Sequence, residues 1–177
     1  MRKILSLLGL LLILALFFLG MALGREEGEA RRDPPVSLPA VGTARGNDLN
    51  ALTSVFGCGV PYSTKSGSGE VRDVKIGTLQ ARQLTWHGAD GLETNAVLPR
   101  EAAQLLNREG LAPDVSSLWT VNGHTLMLAV GTSGACAYYE DEDAAYSLFL
   151  PGADADSLLS LLAAGVTFPI ANEPESR

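Results

Sequence analysis

The short gaps between residues 119 and 150 constrain this chain more than any other feature. Apolar runs there are separated only by Asn122-Gly123, by residues 131–134 and by residues 141–143. A parallel crossover needs a dozen or more residues, so strands joined across such gaps must run antiparallel. Asn-Gly is the favoured pair for a two-residue type I′ hairpin turn. That turn sets Val121 opposite His124, Thr120 opposite Thr125 and Trp119 opposite Leu126. Alternation then assigns Trp119, Val121, His124, Leu126, Leu128 and Val130 to the core face. In residues 135–140, Cys136 and Tyr138 share one side and Ala137 and Tyr139 the other. Residues 144–150 return, so 119–150 reads as a four-stranded meander.

Other segments carry weaker signals of the same kind. Val74 and Ile76 alternate, as do Leu84 and Trp86, with a change of phase near Gly77-Thr78 that predicts a bulge or a hairpin turn. Residues 93–98 read as a short strand, and STKSGSG at 63–69 as a flexible loop. A helix is expected from Asn47 or Asp48 to Phe56, with Leu49, Leu52, Val55 and Phe56 in one stripe and Gly57 as its stop. A second is expected over 99–109. Pro99 suits its first position, Leu98, Ala102, Leu105 and Leu106 share a face, and Gly110 fits the C-cap. A third is expected over 154–164, with Asp154 as N-cap and Leu158, Leu159 and Leu162 inward. The fold class is therefore α+β: an antiparallel, meander-like sheet of about five to seven strands, with two or three helices packed on one face. A single N-terminal apolar helix precedes it.

That apolar helix is residues 4–23, an uncharged run behind Arg2 and Lys3. Its length matches a hydrocarbon core of roughly 30 Å. Residues 1–24 are thus a transmembrane anchor, or a signal peptide cleaved after Ala22-Leu23-Gly24. The basic tail before the run argues for export of the C-terminal part, against which Arg25, Arg31 and Arg32 count. Residues 25–45 read as a charged, then proline-rich linker, 46–170 as an extracytoplasmic domain, and 171–177 as a disordered tail. Eleven basic and twenty acidic residues lie after Gly24, a net charge of −9 that disfavours nucleic acid as a partner. The membrane is met by the N-terminal helix. In an oxidising compartment the two cysteines, Cys58 and Cys136, are expected to form a disulfide bond.

Chemistry-bearing motifs are thin. Gly131-Thr132-Ser133-Gly134-Ala135 approaches the nucleophile elbow G-x-S-x-G but lacks its last glycine and its strand-to-helix setting. The only histidines are His87, at a strand end, and His124, beside the Asn-Gly turn. A zinc site from His87, Asp90, Glu93 and His124 would require the strands to converge and has no supporting ligand spacing. The acidic residues 140–143 lack an EF-hand pattern, and phosphate-binding glycine loops are absent. No catalytic residue, cofactor or metal is assigned. His87, His124 and Ser133 stand as weak polar candidates.

The layout of basic tail, apolar helix, proline-rich linker and small α+β domain is similar to that of many small bacterial envelope proteins. This likeness rests on no residue signature and transfers no function. The expected role is a non-enzymatic, membrane-tethered extracytoplasmic module that binds an envelope protein or ligand. The alternatives are a secreted or anchored hydrolase with an unrecognised active site, and a structural or assembly subunit.

Overall fold

The computed structural model describes residues 34–63, 66–111 and 117–169. The chain divides into a unit Met1–Pro34 and a unit Pro35–Arg177, and the sheet and its helices belong to the second. The segments read as anchor or signal peptide, as the charged part of the linker and as the tail lie outside the described residues. No helix among the described residues is long and apolar enough to cross a membrane.

The elements run β1 (Val36–Gly46), α1 (Leu49–Phe56), β2 (Tyr62–Ser63), β3 (Gly67–Ile76), β4 (Leu79–Gly88) and β5 (Glu93–Leu98). A 3-10 helix (Arg100–Leu106) comes next, then β6 (Leu118–Val121), β7 (His124–Gly131), β8 (Gly134–Glu140) and β9 (Ala145–Pro151). Helix α2 (Ala155–Gly165) and β10 (Val166–Thr167) complete the order. Eight strands form one sheet in the order β1-β3-β4-β5-β9-β8-β7-β6, and β10 pairs with β2 beside it. Every pairing is antiparallel.

Local chemistry accounts for the hairpins. Asn122 and Gly123 both take positive φ, 50° and 84°, and Val121 pairs with His124 in the expected register. The phase change near Gly77 is a hairpin turn rather than a bulge, because Ile76 pairs directly with Leu79. At α2, Asp154 accepts from the Ser157 N–H at 2.9 Å, a side-chain N-cap. Helix α1 ends at Gly57, whose φ of 109° lets its N–H reach the Thr53 carbonyl at 2.9 Å.

Three expectations need correction. Residues 36–45, read as linker, belong to edge strand β1, which supplies the eighth strand of the sheet. Pro39 misleads there. It lies where the β1–β3 register shifts, between Ser37 and Ala40, so its missing N–H breaks no ladder bond at that point. The second predicted helix is a shorter 3-10 helix ending at Leu106. Gly110, at φ 77°, instead helps turn the chain into the Arg108–Leu111 bridge. Residues 67–69, read as loop, open β3.

The helices also divide between the two faces of the sheet. On the first face Leu49, Leu52 and Phe56 of α1 and Leu158 and Leu162 of α2 pack with Val71, Leu84, Trp86, Ala137, Tyr146 and Leu148. On the second face Ala102 and Leu106 of the 3-10 helix, with Leu111, cover Ala81, Val97, Ala129, Cys136, Tyr138 and Phe149. Strands β8 and β9 are therefore buried on both sides. Trp119 and Val130, assigned to the core by alternation, lie on the correct face but beyond its edge, 48% and 54% exposed.

Trp86, 2% exposed, packs its indole under β3 and requires glycine above it. A Cβ at Gly69 would lie 2.2 Å from the Thr85 carbonyl oxygen and 2.9 Å from the Trp86 ring. Gly69→Ala should therefore destabilise the fold by about 2–3 kcal/mol, the upper range for overpacking. Gly77→Ala, at φ 58° with nothing within 4 Å, should cost only about 1 kcal/mol of left-handed strain. Urea midpoints checked by tryptophan fluorescence separate the two. Equal losses would show that Trp86 does not depend on the space above it.

Candidate functional site

Register across the sheet brings polar side chains into two rows on the second face. In the first, Arg45 of β1 pairs with Ser68 of β3, Ser68 with His87 of β4, and His87 with Glu93 of β5. The row continues through Phe149 of β9 to Cys136 of β8. In the second, Thr43, Glu70, Thr85, Asn95, Ser147 and Tyr138 succeed one another across the same strands. Directly opposed residues have Cβ atoms about 4.5–5.5 Å apart, so each row is a continuous strip of neighbours.

The middle of the first row is held from above. Arg108, beyond the 3-10 helix, forms an ion pair with Glu93 and lays its guanidinium 3.9 Å over the Phe149 ring centroid. That cation–π contact fixes the arginine over the sheet. The other Glu93 oxygen lies 3.7 Å from His87 Nδ1, within ion-pair distance once the ring is protonated. In the second row Thr85 donates to Asn95 Oδ1 at 3.0 Å. Ser147 Oγ and Tyr138 Oη are buried without a hydrogen-bond partner among the described residues. Burial pushes the Tyr138 phenol well above its ordinary value and the Cys136 thiol up to about 11.

The two rows emerge at the β1–β3–β4 end as an open cavity of about 320 Å³, lined by Thr43, Arg45, Ser68, Glu70, Thr85 and His87. Glu70 is ion-paired with Arg72. The polar strip thus runs from solvent, through this groove, to groups buried under Arg108 and Leu111.

A second polar cluster lies on the first face. The Cys58 thiol, half-buried, is 3.7 Å from Tyr146 Oη, which donates to Asp141 Oδ2 at 2.6 Å. Asp141 Oδ1 accepts from the Asp143 and Ala144 N–H groups at 3.0 and 2.7 Å and so closes the β8–β9 turn. Tyr139 stacks on Tyr146 at 4.5 Å, and His124 stacks on Phe168 at 4.8 Å. Burial is the main cause that raises the Cys58 thiol above its ordinary value, with Asp141 and Asp143 adding to it and the Tyr146 bond opposing it. The arrangement holds a turn and an aromatic stack in place.

The residues singled out from sequence are scattered. Cys58 and Cys136 are free thiols, which corrects the expected disulfide. Cys58 packs against the first-face core and Cys136 belongs to the second, so the sheet separates them. His124 shares the first face with Leu126 and Leu128, whereas His87 shares the second with Glu93, so the four proposed zinc ligands do not converge. No group of metal-ligating side chains occurs among the described residues. Ser133 sits in the exposed turn between β7 and β8, with its carbonyl accepting from Gly152 N–H at 2.9 Å. The length of β7 sets it roughly 23 Å from His124 at ~3.3 Å per residue. Of His87, His124 and Ser133, only His87 joins the polar row, beside Glu93. Sequence reasoning missed Arg45, Ser68 and Arg108. Strand pairing unites Arg45 and Ser68, and the ion pair with Glu93 brings in Arg108, although the alternation of Ser68 and Glu70 within a glycine-rich stretch is a faint sign of β3. Comparison with protein-family models, with curated proteins and with solved structures yields no match.

Both thiols should remain alkylatable without reductant. With raised pKa values, each is mostly protonated at neutral pH and gains reactivity only as pH rises. Iodoacetamide at pH 8 should modify Cys58 slowly and Cys136 only after unfolding, with Cys136 half-ionised near pH 11. Mass spectrometry counts the adducts; protection of both thiols until reduction would restore the disulfide.

Proposed function

We propose that this chain is a membrane-tethered, extracytoplasmic, non-enzymatic binding module of a bacterial-type envelope, and that its ligand occupies the polar groove over β1, β3 and β4. The observation that carries this reading is the groove itself, a concave strip of hydroxyl and charged side chains opening to solvent on the second face. Its volume is near the lower end of the range for small-molecule sites, roughly 300–1,000 Å³. The uncharged run at 4–23 supports the tether. Because β1 begins at Val36, twelve residues separate that run from the sheet. Strand β1 carries Thr43 and Arg45 and so forms one wall of the groove.

The test is topological. The native full-length chain should partition with membranes after alkaline carbonate washing, and protease added to spheroplasts should remove the domain. A protected domain, or a soluble chain beginning near Arg25, would refute the tethered reading.

A second reading, an anchored hydrolase, is favoured by one observation: Ser68, His87 and Glu93 stand side by side on one face. That is the order of nucleophile, base and orienting acid in a catalytic triad. Ser68 makes no hydrogen bond to His87, and the binding reading predicts no labelling of Ser68 by a fluorophosphonate probe. Labelling that disappears in both Ser68→Ala and His87→Gln would replace the binding reading with the hydrolase.

A further inference from the structure

We infer that the groove is an oxyanion site, in which Arg45 and His87 bracket a phosphate or carboxylate group seated over Ser68. The inference rests on the reading of the groove as the binding surface and specifies the chemistry of its ligand.

Five arginines fall within the described residues, and four of them meet carboxylates: Arg72 with Glu70, Arg82 with Asp73, Arg100 with Glu101 and Arg108 with Glu93. Arg45 alone has no ion pair or hydrogen bond among the described residues, yet it lines the cavity. In a chain with a net charge of −7, a guanidinium left without an acid stands out. The two carboxylates nearest the groove do not cancel it, since Glu70 is held by Arg72 and Glu93 by Arg108. The charge left over in the groove is positive.

Geometry selects the ligand's shape. Strands lie about 4.8 Å apart, so Arg45 and His87, two strands from each other, stand roughly 10 Å apart at the backbone with Ser68 between them. Both line the same cavity, so one tetrahedral or planar oxyanion over Ser68 would lie between them. Glu93 lies 3.7 Å from His87 Nδ1, so Nε2 is the ring nitrogen left for a ligand. The Ser68 and Thr43 hydroxyls make no hydrogen bond among the described residues and supply further donors from the floor and the β1 wall. Arginine's planar fork suits bidentate contact with phosphate or carboxylate.

The experiment uses the full-length chain in phosphatidylcholine nanodiscs, monitored by backbone amide NMR. Inorganic phosphate should shift Thr43, Arg45, Ser68 and His87 saturably. Arg45→Gln and His87→Gln should each weaken binding about tenfold, the equivalent of one charge-assisted hydrogen bond. Arg100→Gln, away from the groove, should leave it unchanged, and unaltered urea midpoints would exclude misfolding. Glycerophosphoglycerol, the soluble form of a lipid headgroup, is titrated in parallel: tighter binding than inorganic phosphate assigns the oxyanion to lipid, weaker binding to a free anion. Absence of saturation, or equal affinity in the Arg45 and His87 variants, overturns the inference. A photo-crosslink from position 43 to an envelope component, formed in cells without any phosphate response, overturns the oxyanion chemistry while retaining the binding face. Loss of both overturns the two together.

Discussion

The pairing of β5 with β9 is the contact on which the rest of the structure depends. Residues 93–97 meet 145–149 in five antiparallel pairs, from Glu93–Phe149 to Val97–Ala145. On one side of this seam β1, β3, β4 and β5 form a unit of largely local pairings, and on the other β6 to β9 form a meander. Neither half covers both of its faces. Joining them makes one sheet whose first face is wide enough for α1 and α2, and whose second face receives the 3-10 helix beside the seam. Closing a long loop to form the seam has an entropic cost that grows only slowly with loop length. The apolar area that becomes buried along β8 and β9 offsets it.

The same seam extends the polar strip across the sheet. Arg45, Ser68, His87 and Glu93 belong to the N-terminal half, whereas Phe149 and Cys136 belong to the C-terminal half. Arg108 lies between the halves in sequence and crosses the seam in space, binding Glu93 on one side and Phe149 on the other. The groove is set by the β1–β3–β4 pairings, and the register of the halves adds Arg108 and the buried end of the strip; a one-residue slip would turn a row to the opposite face.

The parts of the fold that are legible in the sequence are those governed by neighbours in the chain. Asn122-Gly123, the Asp154 cap, the Gly57 stop and the alternation of Cys136, Ala137, Tyr138 and Tyr139 each report a local preference, and the structure agrees with each one. The misreadings have local causes as well. Pro39 resembles linker chemistry because a proline inside a strand is usually disqualifying, yet an edge strand with a register shift accommodates it. Ser68 sits in a run of glycine and serine that resembles a loop. Its flanking glycines are there because Trp86 occupies the space beneath β3. The apolar stripe over 99–109 resembles an α-helix, but only Ala102 and Leu106 are buried before the chain turns to cross the second face.

The sequence alone determined the antiparallel class of the sheet, its hairpins, the glycine stop of α1 and the N-cap of α2, because turn lengths, positive-φ residues and side-chain caps act over a few residues; Asp48, by contrast, makes no side-chain cap at α1. The tertiary structure decided which face each helix covers, that Cys58 and Cys136 lie on opposite sides of a sheet, and that His87 stands between Ser68 and Glu93 rather than near Ser133 or His124. The first two depend on register between strands far apart in the chain, and the third on the register in which β3, β4 and β5 pair. Alternation tells each strand that it has two faces; only the pairing between strands decides which residues share one.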